Sequence, residues 1–147
     1  MKDLYNKLAF TKVLDPVSLT DGGSMNAEID LKGFNGALVV WHCGASDTAT
    51  SSNYWTCKIE HADDDGTGAA GSYTAVAAGD IVGATPASGV VFTMNDHATK
   101  DSQIYACGYV GGKRYIKVSL NETGTGPTMV QSAMVIKGFP LDSPAVV

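Results

Sequence analysis

The segment YACGYVGGKRYIKVSL, Tyr105 to Leu120, sets the tightest constraint on the fold. Two runs of alternating apolar and polar residues meet at Gly111-Gly112, which leaves room only for a tight turn. Two-residue hairpin loops favour positive φ at their central positions, and glycine adopts that conformation without steric cost. The spacing predicts a β-hairpin in which Val110 faces Lys113, Tyr109 faces Arg114, Cys107 faces Ile116 and Tyr105 faces Val118. Aromatic, thiol and branched aliphatic side chains then share one face, with Gly108, Tyr115, Lys117 and Ser119 on the other. This is the pattern of an antiparallel sheet with one face on a core.

The same alternation recurs along the chain. Ala27 to Leu31 alternates, Lys32 to Gly36 turns, and Ala37 to Cys43 is an apolar run suited to a central strand. From Tyr54 to Glu60, Trp55, Cys57 and Ile59 point one way while Thr56, Lys58 and Glu60 point the other. His61 to Ser72 reads as a loop or hairpin end. Shorter strands are expected at Tyr73 to Val76, Ile81 to Val82 and Val90 to Met94, with a polar helical turn within Asn95 to Ser102. A glycine-rich connection, Asn121 to Pro127, leads to a last strand at Met129 to Lys137.

Roughly seven to nine short strands without a long amphipathic helix predict an all-β fold, a single-domain antiparallel β-sandwich or jelly roll over residues 1–147. Residues 1–20 hold Leu4, Leu8, Val13, Leu14, Val17 and Leu19 without a sustained period, so they read as an arm along a surface. A short helical turn within Asp3 to Phe10, capped by Asp3, fits its start. The tail 138–147 carries Pro140 and Pro144 and is expected to be extended.

A chain of 147 residues buries roughly 68–70% of its unfolded surface and needs no covalent staple. Hydrophobic residues make up 44% and charged residues 17%, which excludes a disordered chain. The net charge of −5 with scattered basic residues argues against nucleic-acid binding. No apolar run approaches the roughly 20 residues of a membrane-spanning helix, and MKDLYNKLAFTK lacks the apolar centre of a secretion signal. The sequence thus reads as a protein made in the cytoplasm, with no membrane partner.

Chemistry-bearing groups are sparse. Cys43, Cys57 and Cys107 sit in strand-like runs and read as small buried hydrophobes; a Cys43 to Cys57 disulfide is disfavoured in a cytosolic chain. His42, Cys43, Cys57 and His61 are zinc-ligand types, but His42 and Cys43 point to opposite faces of one strand. Asp63-Asp64-Asp65-Gly66 resembles the start of a calcium loop without its later ligands, so a solvated turn is preferred. Cys107 with His97 or His61 makes no evident nucleophilic pair, and neither a nucleophile elbow nor a phosphate loop occurs. No catalytic, cofactor or metal residue is assigned, and an enzyme is not expected. Arg114 opposite Tyr109, with Lys113 and Lys117 nearby, is a basic and aromatic cluster that reads as a cation over a ring, or as a docking patch for an acidic surface.

Five stretches in order carry a resemblance: MKDLYN, DLKGFNGA, IEHADDDG followed by Tyr-Thr-Ala-Val, GYVGGKRYIKV, and KGFPLDSP. Together they resemble the capsid cement or decoration proteins of tailed bacteriophages, the family typified by the cement protein of a short-tailed Bordetella phage. The resemblance implies a jelly-roll-like protein that attaches as symmetric oligomers to the outside of a capsid shell and reinforces it. It implies no catalysis, and the expected place of the protein is the virion's outer surface.

The expected partners are therefore the major capsid protein and further copies of this chain. A homodimer is preferred because twofold symmetry is the commonest closed arrangement, with a trimer next. The termini, with Leu4, Tyr5, Leu8, Phe10, Phe139, Pro140 and Leu141, together with Arg114, are the candidate capsid and subunit contacts. The rival readings are a phage tail or head-completion component and a carbohydrate-binding β-sandwich with Trp41 or Trp55 as sugar platforms. The apolar alternation around both tryptophans argues for core instead.

Overall fold

Alternation along Tyr54 to Ala62 fixes the inside of the fold: Trp55, Cys57, Ile59 and His61 are buried while Thr56, Lys58 and Glu60 stay partly exposed. The computed structural model describes residues 3–19, 24–125 and 127–141. Its strands are β1 (Ala9–Leu19), β2 (Met25–Asp30), β3 (Phe34–Cys43), β4 (Tyr54–Ala62), β5 (Thr74–Ala75), β6 (Ile81–Val82), β7 (Val90–Met94), β8 (Gln103–Tyr109), β9 (Tyr115–Thr123) and β10 (Met129–Pro140). Helix is confined to short turns, among them α1 (His97–Lys100), whose N-cap Asp96 accepts from Ala98 N–H at 3.0 Å.

The strands form two antiparallel sheets, one in the order β1-β10-β3-β8-β6 and the other in the order β2-β9-β4-β5, with β7 also on β4. Pairing is nested: β1 with β10, β2 with β9, β3 with β8 and β4 with β7. Successive pairs fall in alternate sheets, as if one long antiparallel ribbon had been rolled up. That is a jelly roll. The fold class expected from strand spacing is the one observed.

The rolled topology overturns the expected hairpin. Tyr109 pairs with Ala37 and Ile81 in the first sheet, whereas Ile116 pairs with Ile29 and His61 in the second. Tyr105, Cys107 and Tyr109 do share a core with Ile116 and Val118, but across the layers and not along a ladder. Neither Gly111 nor Gly112 has positive φ, so the turn that such a hairpin demands is not formed. Gly111 serves close approach instead: a Cβ there would sit 2.6 Å from the Tyr109 hydroxyl. That hydroxyl accepts the Lys113 N–H at 3.2 Å, and Val110 N–H donates to the Asp80 carbonyl at 2.8 Å, which carries the chain over the end of the sandwich.

The N-terminal segment also differs from the expected arm along a surface. Residues 9–19 form β1, paired with β10 from Ala9 with Lys137 to Leu19 with Met129. Irregularities between Lys12 and Leu14 and between Leu14 and Val17, the latter containing Pro16, break the period of two that would have marked a strand. Before it, Tyr5–Lys7 forms a single 3-10 turn, and Asp3 Oδ1 accepts the Asn6 N–H at 3.4 Å. At the other end β10 includes Gly138, Phe139 and Pro140, and Leu141 N–H donates to the Gly33 carbonyl at 2.9 Å. Asp142 to Val147 lie outside the described residues.

Trp41 and Trp55 are fully buried. Trp41 Nε1 donates to Gln131 Oε1 at 2.9 Å and Trp55 Nε1 to the Pro127 carbonyl at 2.7 Å, so both indoles satisfy their only polar atom. Neither ring is available as a sugar platform.

Candidate functional site

The two outer faces of the sandwich have opposite chemistry. On the second sheet, Glu28, Lys117 and Glu60 lie side by side in register, and Lys58 and Lys117 each reach Glu60 at 2.9 Å. Lys117 Nζ also sits 4.4 Å from the centre of the Tyr73 ring. This face is ion-paired and suited to water.

On the first sheet, the register aligns Phe10, Ile136, Leu38, Gly108 and Val82 in one row across all five strands. The next row is Lys12, Met134, Val40 and Ala106, followed by Ser132, His42 and Ile104. Ile104 is 69% exposed, Val82 60% and Phe10 57%, so these side chains project outward with nothing over them. The face is apolar across the first row and along Met134, Val40 and Ala106 of the second, with Lys12, Ser132 and His42 as its polar members.

A groove of about 420 Å³ opens in the first row, walled by Leu8, Leu38, Val82, Ile136 and Phe139. Gly36, Gly108 and Gly138 leave its floor without side chains. Phe139 stands at the rim, 78% exposed, with φ of 54°. Its ring lies close enough to Gly36 that a Cβ there would meet it at 3.4 Å. Left-handed backbone at a bulky residue costs roughly 1–2 kcal/mol, so the surrounding structure imposes this placement.

The candidate contact residues divide accordingly. Leu8 and Phe139 wall the groove, and Phe10 shares its row. Leu4 and Tyr5 are exposed at the 3-10 turn before β1, while Pro140 ends β10 and the exposed Leu141 follows it. Arg114 lies elsewhere. Its Nε and Nη2 bond Asp30 at 2.9 and 2.7 Å, its Nη1 contacts Asp64, and its guanidinium stacks 4.7 Å from the Tyr115 ring. Hydrogen bonding to Arg114 holds the Asp30 carboxyl below its ordinary range and raises the guanidinium in return. The expected stacking on Tyr109 does not form, because Tyr109 points into the core toward His61. Lys113 and Lys117 likewise have intrachain carboxylates, Asp63 at 3.5 Å and Glu60 at 2.9 Å.

The groups weighed for catalysis or metal binding are placed apart. His42 is on the outer face while Cys43 is in the core. Burial pushes the Cys43 thiol up to about 12 and the Cys107 thiol up to about 11, and raises Cys57 further with both neighbours adding to it. Such thiols are inert at neutral pH. Asp64 Oδ1 accepts from the N–H groups of Gly66 and Gly68 at 2.7 and 3.2 Å, and Asp65 Oδ1 from that of Thr67 at 2.8 Å, so this loop's carboxylates organise their own turn. Among the described residues no group of three or more His, Cys, Asp or Glu is placed to hold a metal, and no helix is long and apolar enough to cross a membrane.

The sequence reading missed Leu38, Val82, Ile104, Met134 and Ile136. Their signal is present: Ala37 to Val40 and Met134 to Ile136 are apolar at both phases of the alternation. In a two-layer sandwich, one phase must face outward.

No protein-family model matches the chain and no curated protein matches it. Among solved structures it is similar to the coat protein of Tobacco streak virus, at 12% identity and a TM-score of 0.36, covering 95% of this chain and 92% of that one. It is similar also to the infectious bursal disease virus VP2 subviral particle, at 12% identity and a TM-score of 0.28, covering 94% of this chain and 44% of that one. The Gx strain of infectious bursal disease virus gives 14% identity and a TM-score of 0.23 over 96% and 44%. Similarity at this level adds no argument to the strand order itself.

Proposed function

We propose that this chain is a structural virion protein that binds the outer surface of a phage capsid as an oligomer and reinforces the shell. The observation that carries the reading is the exposed apolar face of the first sheet, opposite an ion-paired face on the second. A jelly roll polarised in this way is built to be covered by protein on one side and by water on the other. The five ordered stretches that resemble the phage cement family agree with it. The N-terminal turn with Leu4 and Tyr5, the β1 residue Phe10, and Pro140 with Leu141 sit around the apolar face and supply shell contacts. The role needs no catalytic group.

Quantitative sedimentation with shells stripped of this protein tests the attachment. Saturable co-sedimentation is expected, at a fixed ratio to the shell protein, and reduced by Leu4→Asp with Tyr5→Asp. A protein that stays in the supernatant at every concentration, or that instead assembles into rings or tubes by itself, contradicts the reading and favours a tail or head-completion role.

A further inference from the structure

We propose that the outer edge of β2 is a strand-addition site for an extended segment of another protein, one in which apolar and basic residues alternate. The site is separate from the apolar sheet face and goes beyond the attachment role proposed above.

The hydrogen-bond phase comes first. Ile59 N–H donates to the Gly89 carbonyl at 2.8 Å and the Ile59 carbonyl accepts the Val76 N–H at 3.3 Å, so this residue of β4 bonds away from β9. Antiparallel partners alternate in direction, so Lys58 and Glu60 bond to β9, at Ser119 and Lys117. The intervening Ile116 and Val118 then bond to Ile29 and Ala27 of β2. Leu31 N–H, donating to the Arg114 carbonyl at 2.9 Å, keeps the same phase. Asn26, Glu28 and Asp30 therefore turn their backbone groups off the sheet. Lys137 Nζ reaches the Asp30 carbonyl at 3.5 Å, whereas none of the other described residues bonds the outward backbone of Asn26 or Glu28.

An open edge is a liability that proteins blunt. The other edges of this sandwich are blunted: β1 by two irregularities and Pro16, β5 and β6 by being two residues long, and β7 by a shift in its pairing between Cys57 and Lys58. Strand β2 keeps six residues in unbroken register and holds neither Pro nor Lys.

Side chains select the occupant. Ala27 of β2 and Val13, Val17 and Leu19 of the neighbouring β1 are only half-buried against the core, so inward side chains of an added strand must be apolar to cover them. On the other phase, Asp30 is held by Arg114, and Lys117, opposite Glu28, turns to Glu60 at 2.9 Å. Glu28 is left exposed, with no ion pair among the described residues, on a chain of net charge −5. A basic residue beside Glu28 fits both. A second copy of β2 does not, because its own Glu28 and Asp30 would bring like charges into the same ladder.

Amide hydrogen exchange of the full chain, read by NMR with and without the capped peptide Lys-Val-Lys-Val-Lys-Val-Lys, tests the site. In the free protein Ala27 and Ile29 should exchange slowly, Asn26 and Glu28 fast. The peptide should bind saturably at or below about 1 mM and slow Asn26 and Glu28 about tenfold or more. The same peptide N-methylated throughout keeps its charge but cannot join a ladder, and should leave exchange unchanged. Glu28→Pro removes an outward N–H, a change that an edge strand tolerates, and should weaken binding about tenfold. Glu28→Gln keeps the backbone and should weaken it about 2- to 5-fold, and less in high salt.

Slow exchange at Asn26 and Glu28 in the free monomer would mean that the chain covers its own edge, and overturns the proposal. Protection that appears only as the protein dimerises assigns the edge to a second copy and overturns it too. So does equal binding of the methylated peptide, which is charge attraction alone, or no binding at about 1 mM. Each of these results leaves shell attachment through the apolar face standing, so the two readings fail separately.

Discussion

The Tyr109 hydroxyl lies 3.0 Å from Nδ1 of His61, joining β8 of the first sheet to β4 of the second through the core. The rings meet edge-on with centroids 5.9 Å apart. Burial lowers the His61 pKa from its ordinary value of 6.5; Asp80 and Asp63 oppose the shift while Lys113 adds to it. Burial between the sheets therefore favours a neutral imidazole.

A histidine with a depressed folded-state pKa binds its proton more readily when unfolded, so stability rises with pH through that window. Its contribution is complete above about pH 6.5 and is lost as pH falls toward the folded value. Urea midpoints should fall on going from about pH 7.5 to about pH 5.5, and His61→Gln should flatten that slope. The depressed Asp30 and Glu60 add an acid limb only below the ordinary carboxylate range. A flat wild-type profile above pH 5 would contradict the neutral contact.

Gly111→Ala and Gly112→Ala should separate sharply. A Cβ at Gly111 meets the Tyr109 ring and hydroxyl at 2.6 to 2.7 Å, whereas none of the surrounding atoms comes within 4 Å at Gly112. Overpacking at the first site should cost about 1–3 kcal/mol and the second should be near neutral. Equal penalties in urea unfolding would restore the hairpin turn that the rolled topology replaces.

The three cysteines should resist alkylation at pH 8 in the native protein and react fully in urea, because burial holds each thiol protonated. Rapid native labelling of Cys57, fully buried on β4, would mean that the sandwich opens far more readily than its packing indicates.

Arg114→Lys keeps the charge but loses the two-pronged bond to Asp30. The guanidinium and its Asp30 partner are both partly exposed, so solvent screening keeps the loss small, and smaller still in high salt. A double-mutant cycle with Asp30→Asn reads the coupling. Unchanged stability together with weakened association would instead return Arg114 to the contact surface.

Where side chains alternate cleanly, the sequence was legible: Tyr54 to Glu60 alternates and lies in β4, while the short apolar run Val90 to Met94 was readable as β7 without alternation. The inward set Tyr105, Cys107, Tyr109, Ile116 and Val118 was also readable, since period two reports faces. It does not report partners. Gly111-Gly112 carries turn chemistry whether its strands pair or part, and in a jelly roll β8 and β9 part because each has a nested partner far away in sequence. Strand β1 was hidden by its two irregularities and Pro16. The apolar face escaped notice because Leu38, Ile104 and Ile136 look like core residues until the second layer is seen to lie on the other side.

Cryo-electron microscopy of phage particles assembled with this chain tests the proposed structural role most directly. The account predicts domain-sized density above the shell lattice, with the apolar sheet face covered by protein and the Glu28, Lys117 and Glu60 face toward solvent. A bare lattice, with the protein confined to the tail or missing from the particle, would contradict it.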